Sequence, residues 1–166
     1  MSVSLSPSTA RELFERYGGQ VMARCRRLLR DPVAAQDACQ EVFVQLLTSG
    51  HTFRGDAEWM TWLYRVATNV CLTKLRNEGR RGGQWFSQLK AHLPDAAPSM
   101  EEQILTRRFL EHMFSECDDI DQQLSVYLFV DGLSQGEAAE LLGLSRSTIN
   151  KRVQALREAY RWMEAS

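Results

Sequence analysis

The sequence predicts an all-α protein of two small helical domains joined by an extended linker, and three observations carry that prediction. Apolar residues recur at steps of three and four through most of the chain, with no alternating strand pattern. Helix-start signals stand before each of these runs. Residues 82–100 interrupt the pattern with two prolines, two glycines and no periodicity, which suits a linker or a segment lying extended on something else. The expected division is residues 1–81, linker 82–100 and residues 101–166, and 166 residues suffice for two small cores.

Thr9 with Glu12 reads as a capping box for a first helix whose apolar face is Leu13, Phe14, Tyr17, Val21, Cys25, Leu28 and Leu29. Asp31-Pro32 is a sharp restart, because Asp suits the N-cap and Pro the first helical position. The second helix runs to about Ser49 and buries Ala38, Val42, Leu46 and Phe43. A turn covers His51 to Gly55, and Asp56 is placed to cap a third helix that ends near Arg80. Trp59, Leu63, Val66 and Val70 share one face of it. Beyond the linker, Ser99 with Glu102 opens a helix through Ile104, Phe109 and Met113. Another covers about Ile120 to Asp131, stopped by Gly132. Ser134 with Glu137 caps the next, and Ser145 caps the last, whose inner face is Ile149, Val153, Leu156 and Tyr160.

Composition narrows the class. No stretch approaches the roughly 20 apolar residues of a membrane span, and Met1 to Pro7 lacks a basic-then-apolar signal pattern, so a cytoplasmic protein is expected. Cys25, Cys39, Cys71 and Cys117 lack zinc-knuckle spacing and sit in apolar helical patterns, which reads as small buried thiols. His51, His92 and His112 are scattered and without acidic or cysteine partners at ligand spacing. No catalytic residue, metal, cofactor or small-molecule substrate is therefore expected. The net charge of −1 hides two basic regions: residues 1–83 carry 12 basic and 8 acidic side chains, and residues 145–161 carry 5 and 1. Local basic faces on a near-neutral chain suit nucleic-acid binding that needs a helper.

Residues 133–160, LSQGEAAELLGLSRSTINKRVQALREAY, have the form of a helix-turn-helix. Ala138 and Ala139 let two helices approach closely, and Gly143 permits the turn. Facing away from Ile149 and Val153 are Ser147, Asn150, Lys151 and Gln154, which can reach base edges: Asn and Gln match adenine, Lys matches guanine. Arg146, Arg152 and Arg157 are better placed for phosphates.

Residues 53–76, FRGDAEWMTWLYRVATNVCLTKLR, interleave Phe53, Trp59, Trp62 and Tyr64 with Arg54, Arg65, Lys74 and Arg76. Some of these aromatics belong to a core. The rest, with the basic side chains, suit a surface that holds unstacked bases and tracks the backbone of a single strand. Asn69 falls at the edge of the Val66–Val70 face, where its amide can read one base edge.

On these residues the chain resembles the extracytoplasmic-function (ECF) sigma factors of RNA polymerase. The run DPVAAQDACQEVF is similar to sigma region 2.2, FRG followed by TWLYRVATN and LR to regions 2.3 and 2.4, and the helix-turn-helix to region 4. The resemblance implies that Asp37, Gln40, Glu41 and Phe43 lie at the surface that docks on the polymerase clamp helices. It implies that Phe53, Arg54 and Asn69, with Arg65, Lys74 and Arg76, meet the melted minus-ten element, and that Asn150, Lys151 and Gln154 meet the minus-thirty-five duplex. Residues 82–100 would thread towards the RNA exit path, and the acidic segment 116–121 would lie near the surface that meets the polymerase flap. Partners would be core RNA polymerase, promoter DNA and an anti-sigma protein, which in many relatives is membrane-tethered. One departure stands out: where many relatives have Leu-Pro and a following Arg, this chain has ECDDIDQQLSVYLFVDG, with Asp118, Asp119 and Asp121.

Two other readings remain. A self-contained helix-turn-helix regulator would bind duplex DNA unaided, but leaves the aromatic–basic helix from Trp59 to Arg76 without a role. A DNA-acting enzyme would act on DNA without polymerase, and the sequence offers it neither metal ligands nor a nucleophile–base pair.

Overall fold

A computed structural model of the chain describes residues 5–29, 31–49, 59–80 and 100–161. Among them are seven α-helices and no strand. The chain divides into two compact units, Met1–Leu89 and Lys90–Ser166.

The first unit packs three helices against one another: α1 (Pro7–Leu28), α2 (Pro32–Ser49) and α3 (Trp59–Arg80). Val21, Cys25 and Leu28 from α1, Ala35, Ala38, Val42 and Leu46 from α2, and Leu63, Ala67, Cys71 and Leu75 from α3 are fully buried. Small side chains supply much of this contact, so the helices lie close and the core is sensitive to added volume. The thiols of Cys25 and Cys71 hydrogen-bond across it. That bond and burial push the Cys71 thiol up, and burial pushes Cys39 up. All four cysteines are free, with Cys117 only half-buried.

Two sequence expectations for α1 are corrected. The helix starts at Pro7, and Ser6, not Thr9, is its N-cap: the Ser6 side chain accepts from the Thr9 amide at 3.2 Å. Pro in the first turn suits this start, because its missing N–H would have had no helical partner. Phe14 is not core; it is 54% exposed, with its ring edge against Phe43 at 4.9 Å. At α2, Asp31 accepts from the Val33 amide at 3.1 Å, as an N-terminal Asp should. The capping role expected of Asp56 lies outside the described residues.

The second unit comprises α4 (Met100–Glu116), α5 (Asp119–Ser125), α6 (Gln135–Leu142) and α7 (Arg146–Ala159). After α5 the backbone widens into a π turn, Val126–Val130, closed by Asp131 N–H to Val126 carbonyl at 2.9 Å. Val126 and Tyr127 thereby point into a core shared with Leu110, Met113, Leu124, Leu142, Ile149, Val153 and Leu156. Phe109, Phe129 and Tyr160 stack edge to face or tilted, with centroids 4.8 to 5.9 Å apart, and tie α4 to the end of α7. Of the three apolar residues named for α4, Phe109 and Met113 are buried and Ile104 is 51% exposed. Ser99, the cap of the expected Ser99–Glu102 box, lies outside the described residues.

The caps of the last two helices are as the sequence predicts. Ser134 Oγ accepts from the Glu137 amide at 3.2 Å, and the Glu137 carboxylate accepts from the Ser134 amide at 2.8 Å. The Ser134 amide and hydroxyl, both donating to the Glu137 carboxylate, hold that carboxyl below the usual carboxylate range. Gly143 ends α6 at φ 63°, a left-handed conformation natural to glycine. Ser145 Oγ accepts from the Thr148 amide at 3.1 Å. Ser134→Ala removes the Oγ half of the capping box, leaving the Ser134 backbone amide bonded to Glu137, and should lower the stability of this unit by about 1 kcal/mol, read as a lower unfolding temperature. An unchanged temperature would mean that the box does not hold α6.

Candidate nucleic-acid interface

In the first unit the candidate residues are positioned by α2 and α3. Arg65 and Asn69 are exposed on α3, with Trp62 and Arg76 half-buried at the same helical face, at steps of three, four and seven. Thr73 stands between them; its hydroxyl donates to the Asn69 carbonyl at 2.9 Å and accepts from Arg76 Nη2 at 3.3 Å. The face therefore offers an indole, an amide and two guanidinium groups, the chemistry a single strand needs. Phe53 and Arg54 lie outside the described residues.

Lys74 does not join this face. It turns towards α2 and pairs with Glu41 at 3.3 Å. One expected DNA ligand and one expected polymerase contact thus meet each other, which follows from α2 and α3 packing side by side. Asp37 and Gln40 remain exposed, and Phe43 is half-buried against Phe14. Sequence reasoning missed Val33, Val44 and Leu47, which are exposed on α2 at the face of Gln40. The apolar patch they form suits a partner surface.

Behind the α3 face sits a buried cation. Arg24 of α1 is 4% exposed and donates through Nε and Nη2 to Thr68 Oγ1, at 3.2 and 3.1 Å. Its guanidinium lies over the Tyr64 ring at 4.3 Å. Thr68 donates in turn to the Tyr64 carbonyl at 2.8 Å. Thr68 is fully buried, one helical step round from the exposed Asn69. The signal for Arg24 was present in the sequence, since it stands three residues after Val21 and one before Cys25, inside the apolar stripe.

In the second unit α6 and α7 form the helix-turn-helix. Ile149, Val153, Leu156 and Tyr160 are buried, and Ser147, Asn150, Lys151, Gln154 and Arg157 are exposed. An open cleft runs between the start of α6 and the flank of α7, lined by Ser134, Gln135, Gly136, Arg146, Ser147 and Asn150. A helix N-terminus beside an arginine suits a phosphate, and the neighbouring amide and hydroxyl suit a base edge.

Arg152 is placed differently. It is on the opposite flank of α7 and bonds both Asp118, at 3.0 Å, and Asp121, at 2.8 Å. Those bonds hold its guanidinium charged. At Asp118 burial raises the carboxyl, but the Asp121 amide and Arg152 more than offset it and leave it below the usual range.

A three-helix unit with an aromatic–basic face is thus followed by a helix-turn-helix unit, a combination that suits a transcription protein. A family model described as Sigma-70 region 2 matches residues 13–81, and one described as Winged helix-turn-helix DNA-binding matches residues 131–159. The chain is 27% identical to the ECF RNA polymerase sigma factor SigW of Bacillus subtilis, over 90% of this chain and 86% of that protein. It is 26% identical to the ECF RNA polymerase sigma-E factor of Escherichia coli, over 74% of this chain and 70% of that protein. A solved structure, the sigma factor RpoE in complex with the anti-sigma factor NepR from Bartonella quintana, is similar at a TM-score of 0.46 and 15% identity, covering 93% of this chain and 96% of that one. The chain thus carries a sigma-70 region 2 and a helix-turn-helix segment, and along most of its length it is similar to ECF RNA polymerase sigma factors. No helix among the described residues is long and apolar enough to cross a membrane.

Proposed function

We propose that this chain works as a sigma factor in the cytoplasm on core RNA polymerase, with three surfaces in named roles. The outer face of α2, with Asp37, Gln40, Val33, Val44 and Leu47, docks on the clamp helices. The outer face of α3, with Arg65, Asn69 and Arg76, holds one strand of the melted minus-ten element, helped by Phe53 and Arg54. The exposed face of α7, with Ser147, Asn150, Lys151 and Gln154, reads the minus-thirty-five duplex, with Arg146 and Arg157 on phosphates. Residues 1–81 and 101–166 act as separate units across 82–100. An anti-sigma protein, in the manner of many relatives, restrains the chain and brings it to the membrane where that protein is tethered.

The observation that supports this reading best is the pairing, in one chain, of a duplex-reading helix with a second basic face that carries aromatic and amide groups. A regulator that binds closed duplex has no use for the second face. Charge reversal at Asp37 tests the docking surface, because Asp37 is exposed and outside the α2 core, whereas reversal at Glu41 would also break its pair with Lys74. Asp37→Lys should weaken binding to core polymerase by about tenfold, roughly 1.4 kcal/mol, with unchanged circular dichroism. Unaltered affinity would place the docking surface elsewhere.

A further inference from the structure

Arg152 is on the helix that reads duplex DNA, yet its guanidinium is spent inside the protein. Nη1 donates to Asp118 Oδ1 and Oδ2 at 3.2 and 3.0 Å and to Asp121 Oδ1 at 2.8 Å. Asp118 is also the N-cap of α5, accepting from the Asp121 amide at 2.8 Å. One carboxylate thus fixes the start of α5 and the flank of α7 together. The Arg152 side chain is 28% exposed and that of Asp121 25%, so this contact is partly withdrawn from solvent and less screened than the one to Asp118, which is 57% exposed. On its other flank α7 meets α6, where Arg146 and Asn150 line the cleft.

We propose that Arg152 is a positioning residue and not a DNA ligand: gripped by Asp118 and Asp121, it sets the angle at which α7 presents Asn150, Lys151 and Gln154. This rests on α7 being the recognition helix. It also gives the acidic departure at residues 118–121 a role within the second unit. One guanidinium nitrogen, Nη1, bridges two carboxylates and so ties the flank of α7 to the start of α5; a small rotation of α7 would move every base-reading side chain at once.

The two roles give opposite signs when the acids are removed. In a brace, breaking the pair from either end has the same effect. If Arg152 binds phosphate, removing the acids frees it and lowers local negative charge, so DNA binding strengthens. Asp118→Asn keeps the N-cap, because Asn caps as well as Asp, and Asp121→Asn removes the second charge. The experiment measures binding of holoenzyme, assembled from the full chain and core RNA polymerase, to duplexes randomised at the minus-thirty-five positions. It is run over a salt series well below the unfolding temperature of each variant.

Arg152→Gln and the Asp118→Asn/Asp121→Asn pair should each cut minus-thirty-five discrimination by roughly fivefold, and combining them should add little further loss. The log-log salt slope should stay at the wild-type value. A slope reduced by about one in Arg152→Gln, with tighter binding in the Asn pair, would make Arg152 a phosphate ligand and overturn the proposal. Unfolding temperatures that fall while base preference holds would reduce the contact to stability alone and also overturn it. Lys151→Ala and Gln154→Ala serve as the control: if they too leave preference unchanged, α7 is not the recognition helix, and that prior reading is the one that failed.

Discussion

Asn69→Ala should slow open-complex formation on duplex promoters by roughly tenfold to a hundredfold, while templates already melted across the minus-ten element stay near the wild-type rate. The residue is exposed on α3, between Arg65 and Arg76 and beside the half-buried Trp62. Its amide carries donors and an acceptor, enough for one base edge. A contact of that kind contributes about 1–3 kcal/mol of discrimination. Unstacking a base costs a few kcal/mol and least where the strand is already single, so the penalty concentrates on duplex templates. The same variant should relax base preference at one minus-ten position. Thermal unfolding should be unchanged, because no buried group is touched. Wild-type rates and wild-type preference across all minus-ten substitutions would remove Asn69 from the base-reading set.

Lys151→Ala and Gln154→Ala should change which minus-thirty-five sequences are bound, whereas Arg157→Ala should weaken binding to all of them. Lys151 and Gln154 are exposed opposite the buried Ile149–Val153 face, where base edges would lie. Each lost base contact costs about 1–3 kcal/mol of discrimination. Arg157 is on the flank nearer the core, among Leu128, Phe129, Leu133 and Val153, which suits a backbone contact. Its loss should lower the log-log salt slope by roughly one. A competition series on single-base variants at several salt concentrations separates the two classes. Equal losses for all three substitutions on every variant would contradict the assignment.

Local chemistry was legible in the sequence where one residue decides one bond. Ser134 with Glu137, Gly143 and Ser145 are such cases, and the apolar steps from Ile149 to Tyr160 placed the inner face of α7 correctly. Contacts between helices were less legible. Phe14 and Ile104 fit the apolar pattern of their helices, yet both face outward. Lys74 and Glu41 are 33 positions apart, and only the packing of α2 on α3 brings them together. Arg24 was passed over because a charge in an apolar stripe reads as an interruption; burial is tolerable there because Tyr64 and Thr68 receive the guanidinium. Arg152 illustrates the same limit on α7. Helical position put it among the phosphate-facing basic residues, and the acids that hold it enter from a separate element, the start of α5.

The central claim is that this chain reads promoters only as part of a polymerase. The most direct test compares DNA binding and transcript production by the free chain and by the chain with core RNA polymerase, on the same promoter fragment and at one stated salt concentration. With polymerase, transcripts should start at a fixed position, and the chain should appear in a complex resistant to competitor DNA. Alone, it should bind that duplex at least a hundredfold more weakly, near the level expected of non-specific contacts. Tight, sequence-specific binding of the duplex by the free chain, with no change in start-site selection when polymerase is added, would contradict the account and favour a self-contained regulator.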